Sequence, residues 1–348
     1  MFALAPTLAA WVHDLDPFVV RFPEGRFLPA GIRWYGLSYL LGFFVGYLII
    51  RRAVRVGITT LKPMEVADMV VTLAIGAVVG GRLGYVLFYD PTLLGAIDDF
   101  PYWGVLALTR GGMASHGGII GAVIACWYYA YRHGHSWAHV LDVAALGTPL
   151  GLFFGRIANF INGELYGRPC AQDFPLAVQF PQELAHPTKA QEIAVQVFAV
   201  EHADLLPPRA GYDTAVAWII QQAQQGNQMV IDFLRQVLTP RHPSQLYQAV
   251  LEGLVVMAVL LIVWWRPRKP LILGATFMLT YGIVRIIGEF FRMPDADIME
   301  MEYAHWGISR GQLLSVFMVG GGVLLIELAR RRDVTPMGGW RRELKSVK

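Results

Sequence analysis

Seven apolar stretches, each about 17 to 23 residues long, dominate this chain and limit what it can become. They run over residues 34–50, 66–88, 115–131, 141–160, 246–265, 271–291 and 311–329. A bilayer core about 30 Å thick takes roughly 20 apolar helical residues. Inside it every backbone N–H and C=O must find a partner within the protein, which for runs this long means helices. The chain is 55% hydrophobic and 16% charged, whereas soluble domains average roughly 25% charged residues. The expected architecture is therefore an all-α integral membrane protein with seven transmembrane helices. The first and third stretches are the shortest, and Ser38 and their glycines suit close helix packing.

Basic residues set the orientation. Arg51, Arg52, Arg55 and Lys62 follow the first stretch, and Arg132, His133 and His135 the third. Arg266, Arg268 and Lys269 follow the fifth. Arg330, Arg331, Arg332, Arg341, Arg342, Lys345 and Lys348 follow the seventh. With alternating spans all four groups fall on one side, the cytoplasm, so the N-terminus is expected outside and the C-terminus inside. The net charge of +3 means little as a total, and no nucleic-acid partner is expected. Met1–Ala10 lacks a basic start and leads into His13, Asp14 and Asp16, so the first span is expected to serve as the signal.

Five regions follow: an outer arm (1–33), helices one to four (34–160), an insert (161–245), helices five to seven (246–329) and a basic tail (330–348). The insert reads as a small cap over the outer membrane face, between helices 4 and 5. It carries helical patterns near 214–225 and 228–238, with Asp213 as a candidate cap and Pro207, Pro208 and Gly211 as punctuation. About 80 residues would make only a marginal core alone. Cys126 reads as a small apolar packing residue, and neither it nor Cys170 has metal-type spacing.

Polar residues inside apolar stretches are functional candidates by default. Arg156 and Asn159 share a helix face and run into Asn162, Gly163, Glu164 and Gly167. The bland alternative is a snorkelling arginine paired with Glu164. Tyr281, Arg285 and Glu289, spaced four apart, form a polar stripe, whose bland alternative is an internal ion pair. Arginine suits phosphate geometry, so a second arginine facing Arg156 would complete a phosphate clamp. His116 lies among glycines at the outer start of a span, where it could be an acid–base group or a packing histidine. In Arg241-His242-Pro243-Ser244-Gln245-Leu246-Tyr247, Pro243 marks a helix start, with Ser244 and Gln245 available to cap it. Arg82 needs a partner, with Asp142 or Glu289 as candidates. Asp68 and Asp142 read as structural, and Trp34-Tyr35 as an interfacial pair.

Together these motifs resemble the prolipoprotein diacylglyceryl transferase family. The run Gly155-Arg156-Ile157-Ala158-Asn159-Phe160-Ile161-Asn162-Gly163-Glu164-Leu165-Tyr166-Gly167 is similar to the family signature. Arg33-Trp34-Tyr35-Gly36-Leu37, Ser115-His116-Gly117-Gly118, the Arg241–Tyr247 motif and Tyr281-Gly282-Ile283-Val284-Arg285 match in order and spacing. Two features depart from the pattern: Gln248 stands where the family usually has Glu, and the insert is longer than usual.

The resemblance implies transfer of the diacylglyceryl group of phosphatidylglycerol to the lipobox cysteine of a prolipoprotein signal peptide, within the bacterial inner membrane. No metal or organic cofactor is expected. It implies Arg156 and Arg285 on the phosphate and His116 as acceptor of the thiol proton. Asn159 would orient the head group, and Glu164 and Glu289 would position the arginines. Tyr35 and Tyr281 would bond the glycerol, with Gly167, His242, Ser244 and Tyr247 completing the substrate site. The competing class is a transporter or flippase for an anionic lipid or solute, whose site is expected near the bilayer midplane.

Overall fold

A computed structural model describes residues 10–22, 31–97, 102–107, 111–207, 210–293 and 309–340. The tail residues Arg341, Arg342, Lys345 and Lys348, and the arm at 1–9 and 23–30, lie outside the described residues. The long helices are α1 (Trp34–Arg55), α2 (Glu65–Phe88), α3 (Ser115–His133) and α4 (Trp137–Asn162). Three short helices fill the insert: α5 (Lys189–Glu201), α6 (Tyr212–Gln224) and α7 (Gln228–Val237). Then come α8 (Ser244–Val263), α9 (Ile272–Glu289) and α10 (Arg310–Arg331). Among the described residues six helices are long and apolar enough to cross a membrane: α1, α2, α4, α8, α9 and α10. The third expected span does form a helix, α3, but is not one of the six. Ser115 and His116 at one end, Arg132 at the other, and Trp127, Tyr128, Tyr129 and Tyr131 dilute its apolar character.

The chain divides into two compact units. The first comprises Met1–Leu40, Leu152–Leu254 and Gly282–Phe317, the second Leu41–Gly151, Val255–Tyr281 and Met318–Lys348.

In the second unit α2 and α3 meet along a seam of small residues. A Cβ on Gly84 would lie 2.9 Å from the Gly117 Cα, and one on Gly80 2.7 Å from the Gly121 Cα. Such backbone-to-backbone contact is how apolar helices associate where the hydrophobic effect gives no preference. Gly42 and Gly151 bring α1 and α4 together in the same way, at 2.9 Å. Arg82 has neither carboxylate suggested by the sequence as its partner. Its guanidinium donates to the carbonyls of Val105 (2.8 Å), Gly104 (2.6 Å), Gly111 (2.6 Å) and Gly112 (2.9 Å), tying down the α2–α3 connection. Asp142 accepts from the N–H groups of Leu271 and Gly274, both at 2.8 Å, and so caps α9.

In the first unit the insert has a core of its own. Leu184, Val195, Phe198, Ile219, Val230 and Leu234 are buried together, and Val12 of the arm joins them. A three-stranded sheet explains how. Strands β1 (Trp11–Val12), β4 (Val178–Gln179) and β5 (Pro240–Arg241) lie in the order β1-β4-β5, parallel then antiparallel. Between β1 and β4 in sequence, β2 (Phe18–Arg21) and β3 (Gly31–Arg33) form an antiparallel pair. The strands and α5 were absent from the sequence reading. The α5 start was legible, since Thr188 and Gln191 form a capping box. Asp213 lies in the first turn of α6, whose cap position is Gly211.

His13 follows β1 and is buried among Trp11, Phe160 and Phe180. Burial lowers its pKa to about 4. A group whose folded pKa is depressed binds more protons when unfolded, so its contribution is complete above about pH 6.5 and is lost as pH falls toward 4. About 3 kcal/mol is at stake. Melting temperature measured from pH 7 to pH 4 is expected to fall over this window. His13→Phe should flatten the fall, and an unchanged profile would assign it to other groups.

Candidate active site

Helix α4 carries Arg156 one turn before Asn159 and ends at Asn162, where Gly163 adopts φ +69°. The turn is closed by Glu164 N–H donating to the Asn159 carbonyl at 2.9 Å. Leu165 follows at φ +56°, an uncommon backbone state for a residue with a side chain. Two side chains hold that segment. Ser244 Oγ donates to the Leu165 carbonyl at 3.0 Å and Gln245 Nε2 to the Glu164 carbonyl at 2.7 Å. This corrects the capping role read for them, since α8 has no side-chain cap at its start. Gly167 donates to the His242 carbonyl at 3.0 Å, and a Cβ there would overlap that oxygen and come within 2.8 Å of the Phe291 carbonyl. Only glycine fits.

Arg156 does not pair with Glu164. Its Nε donates to Glu252 Oε2 at 2.9 Å and its Nη2 to Glu252 Oε1 at 3.2 Å. Arg285 of α9 places Nη1 3.7 Å from the same Oε1 and 2.9 Å from Glu289 Oε2. Arg292 and Ser309 both donate to Glu289 Oε1, at 3.4 and 3.3 Å. A Cβ on Gly311 would stand 3.2 Å from that oxygen, so the glycine leaves room for the carboxylate. Two arginines from different helices thus converge on one buried acid. Among the described residues the guanidinium groups of Arg156, Arg285 and Arg292 surround the carboxylates of Glu252 and Glu289. Glu252 is 0% exposed, while the Arg156 and Arg285 side chains keep 16% and 14% of their surface. An incoming anion would therefore meet the guanidinium groups, not the acid.

Glu252 was missed at the level of sequence. The signal was present, an acid inside the apolar run 246–265. Its facing was not legible, because Ala249–Val255 is π-helical and shifts the phase of α8. The glycine beside it makes the fit possible: a Cβ on Gly253 would stand 2.6 Å from Phe153 Cβ.

The remaining candidates fall into separate groups. Glu164 interacts with Asn159, Asn162 and Arg33, but burial outweighs them and pushes its carboxyl above the ordinary carboxylate range. Tyr35 packs edge-on against Tyr39 at 5.3 Å, and Tyr39 is within electrostatic reach of Arg156 and Glu164. His242 Nδ1 lies 3.3 Å from the Tyr247 hydroxyl, with the rings of Phe174 and Phe291 around it. Gln248, fully buried, packs its Cγ near Gly288. Two candidates belong to the second unit. His116 is exposed in the first turn of α3, and Tyr281 stacks on Phe277 at 5.7 Å. Among the described residues no cluster of His, Cys, Asp and Glu could hold a metal ion.

Comparison with known proteins agrees with the motifs. The family model described as prolipoprotein diacylglyceryl transferase matches residues 26–328. A phosphatidylglycerol–prolipoprotein diacylglyceryl transferase of Bdellovibrio bacteriovorus is 44% identical, over 95% of this chain and 97% of the relative. Proteins of the same name from Rhodospirillum centenum and Pseudomonas syringae are 38% and 35% identical, over 90% and 92% of this chain and 91% and 95% of their own lengths. A match of this breadth makes the chain a member of the prolipoprotein diacylglyceryl transferase family.

Proposed function

We propose that this chain transfers the diacylglyceryl group of phosphatidylglycerol to the thiol of the lipobox cysteine in a prolipoprotein signal peptide. This would be the first step of lipoprotein maturation. The observation that carries the mechanism is the convergence of Arg156 and Arg285 on Glu252. The relatives' names supply phosphatidylglycerol and prolipoproteins as their substrates, and they lend no support to the transporter reading.

The reaction breaks the bond between the diacylglycerol carbon and a phosphate oxygen and forms a carbon–sulfur bond. The thiol proton goes to a base and glycerol 1-phosphate leaves. The attacked carbon is an unactivated sp³ centre, so stabilising the leaving phosphate matters most. Arg156 and Arg285 hold that phosphate through charge-assisted hydrogen bonds that strengthen as its charge grows. Glu252 sets the spacing of the two guanidinium groups, and Glu289 fixes Arg285 from the other side. Asn159 orients the head group, and Tyr35 and Tyr281 bond the glycerol. Glu164 and Gly167, with His242, Ser244 and Tyr247, shape the pocket for the head group. His116 takes the thiol proton, because the thiolate is the nucleophile.

The chain lies in the bacterial inner membrane as seven spans, the six apolar helices and α3. Its arm and insert face the periplasm and its basic tail the cytoplasm, as the charge distribution requires. Incubating the purified protein with phosphatidylglycerol and a lipobox peptide tests the reaction. The peptide should gain one diacylglyceryl mass. No gain, with ligand flux in liposomes instead, would replace the enzyme by a transporter. In the same assay His116→Asn is expected to lose about 10²–10⁴-fold in rate at neutral pH, the usual range for a general base. Full activity would remove His116 from the base role.

A further inference from the structure

One carboxylate links the helical part of the insert to the signature loop that precedes it. Glu183 lies in the 3₁₀ turn Pro181–Ala185 and is 2% exposed. Its Oε1 accepts from Gln191 Nε2 at 2.6 Å, at the start of α5, and from the Thr239 N–H at 2.8 Å. Its Oε2 accepts from Arg241 Nε at 2.6 Å. One oxygen of this carboxylate therefore faces α5 and Thr239, and the other faces Arg241.

Arg241 in turn holds the loop that follows α4. Its Nη1 donates to the Gly167 carbonyl at 3.3 Å, and its guanidinium lies 4.8 Å above the Tyr166 ring. Gly167 bridges to Arg292, which pairs with Glu289, the partner of Arg285. A continuous set of contacts thus runs from the insert through Glu183 and Arg241 to the loop and on to the arginine cluster.

We infer that Glu183 is a positioning residue for the transfer reaction: through Arg241 it lets the insert fix the loop at 163–168. Glu183→Gln keeps the shape but presents an N–H group to Arg241, or loses the bonds to Gln191 and Thr239 if the amide flips. Either way the link through Glu183 between α5 and Arg241 opens. A purely structural role for Glu183 would lower stability alone. A positioning role lowers the rate at temperatures where the protein is fully folded.

The inference rests on the transferase reading, and the wild-type assay separates the two. Without wild-type transfer the reading itself fails. With it, Glu183→Gln is expected to lose at least about tenfold in kcat at 25 °C, with a smaller change in KM. Arg241→Gln should lose a similar factor, and the double variant should lose little more than either single one, because both break one link. Leu234→Ala, which thins the insert core without touching Glu183, should lower the melting temperature and leave kcat within twofold. Glu183→Gln with kcat within twofold of wild type would overturn the inference. So would additive losses in the double variant, or a loss in Leu234→Ala equal to that in Glu183→Gln.

Discussion

Arg156→Ala and Arg285→Ala are each expected to reduce transfer by about 10²–10³-fold, the scale of removing one preorganised donor from a developing oxyanion. Each removes one of the two guanidinium groups that converge on Glu252. The Arg156 change has a second effect. It strips Glu252 of its two short hydrogen bonds while leaving the acid fully buried. Breaking one partner of a buried pair destabilises by about 3–5 kcal/mol, so Arg156→Ala should also melt lower than Arg285→Ala. Glu252 would still contact Arg156 in the latter. Lysine at either position keeps the charge but not the planar fork, so it should restore stability better than rate. Steady-state rates with varied phosphatidylglycerol, beside melting curves, check both halves. Normal rates in the two alanine variants would sink the clamp.

Glu252 should be nearly as sensitive, for the opposite electrostatic reason. In Glu252→Gln the Arg156 and Arg285 guanidinium groups lose the carboxylate between them, and the pair that Glu252 spaced now repels. An anionic lipid would still be attracted, so KM for phosphatidylglycerol should hold or fall. The guanidinium groups would no longer be set for the leaving phosphate, so kcat should drop at least about tenfold. Glu252→Ala adds a cavity and removes two hydrogen bonds from Arg156, with about 3–5 kcal/mol less stability. A rise in KM with kcat unchanged for Glu252→Gln would mean that the acid serves binding alone. No change in either would make it a packing residue.

The membrane helices were legible because their signal is local: apolar runs of the right length, with arginines after alternate ones. Arg156, Arg285 and Glu289 stood out because charge is rare in such runs. Glu252 was hidden for two reasons. Its pairing is tertiary, linking α8 to α4 and α9, and the π-helical segment around it breaks the spacing on which a helical face is counted. The same limit explains the swapped partners. Glu164 is near Arg156 in sequence, yet the Gly163 turn carries it toward Asn159, Asn162 and Arg33. Ser244 and Gln245 looked like caps because they open a helix. The backbone carbonyls they bind are about 80 residues away in the chain. The insert's helices were partly visible as periodicity, but a sheet of two-residue strands carries no readable alternation.

Retention of phosphatidylglycerol in the absence of peptide is the most direct test of the phosphate clamp. Native mass spectrometry of the detergent-solubilised protein, titrated with phosphatidylglycerol, reads it without any chemistry taking place. The wild type should hold one phosphatidylglycerol, and the double variant Arg156→Ala/Arg285→Ala should need at least about tenfold more lipid for the same occupancy, which is 1.4 kcal/mol or more of binding. Equal occupancy in the two proteins at every lipid concentration would contradict the account.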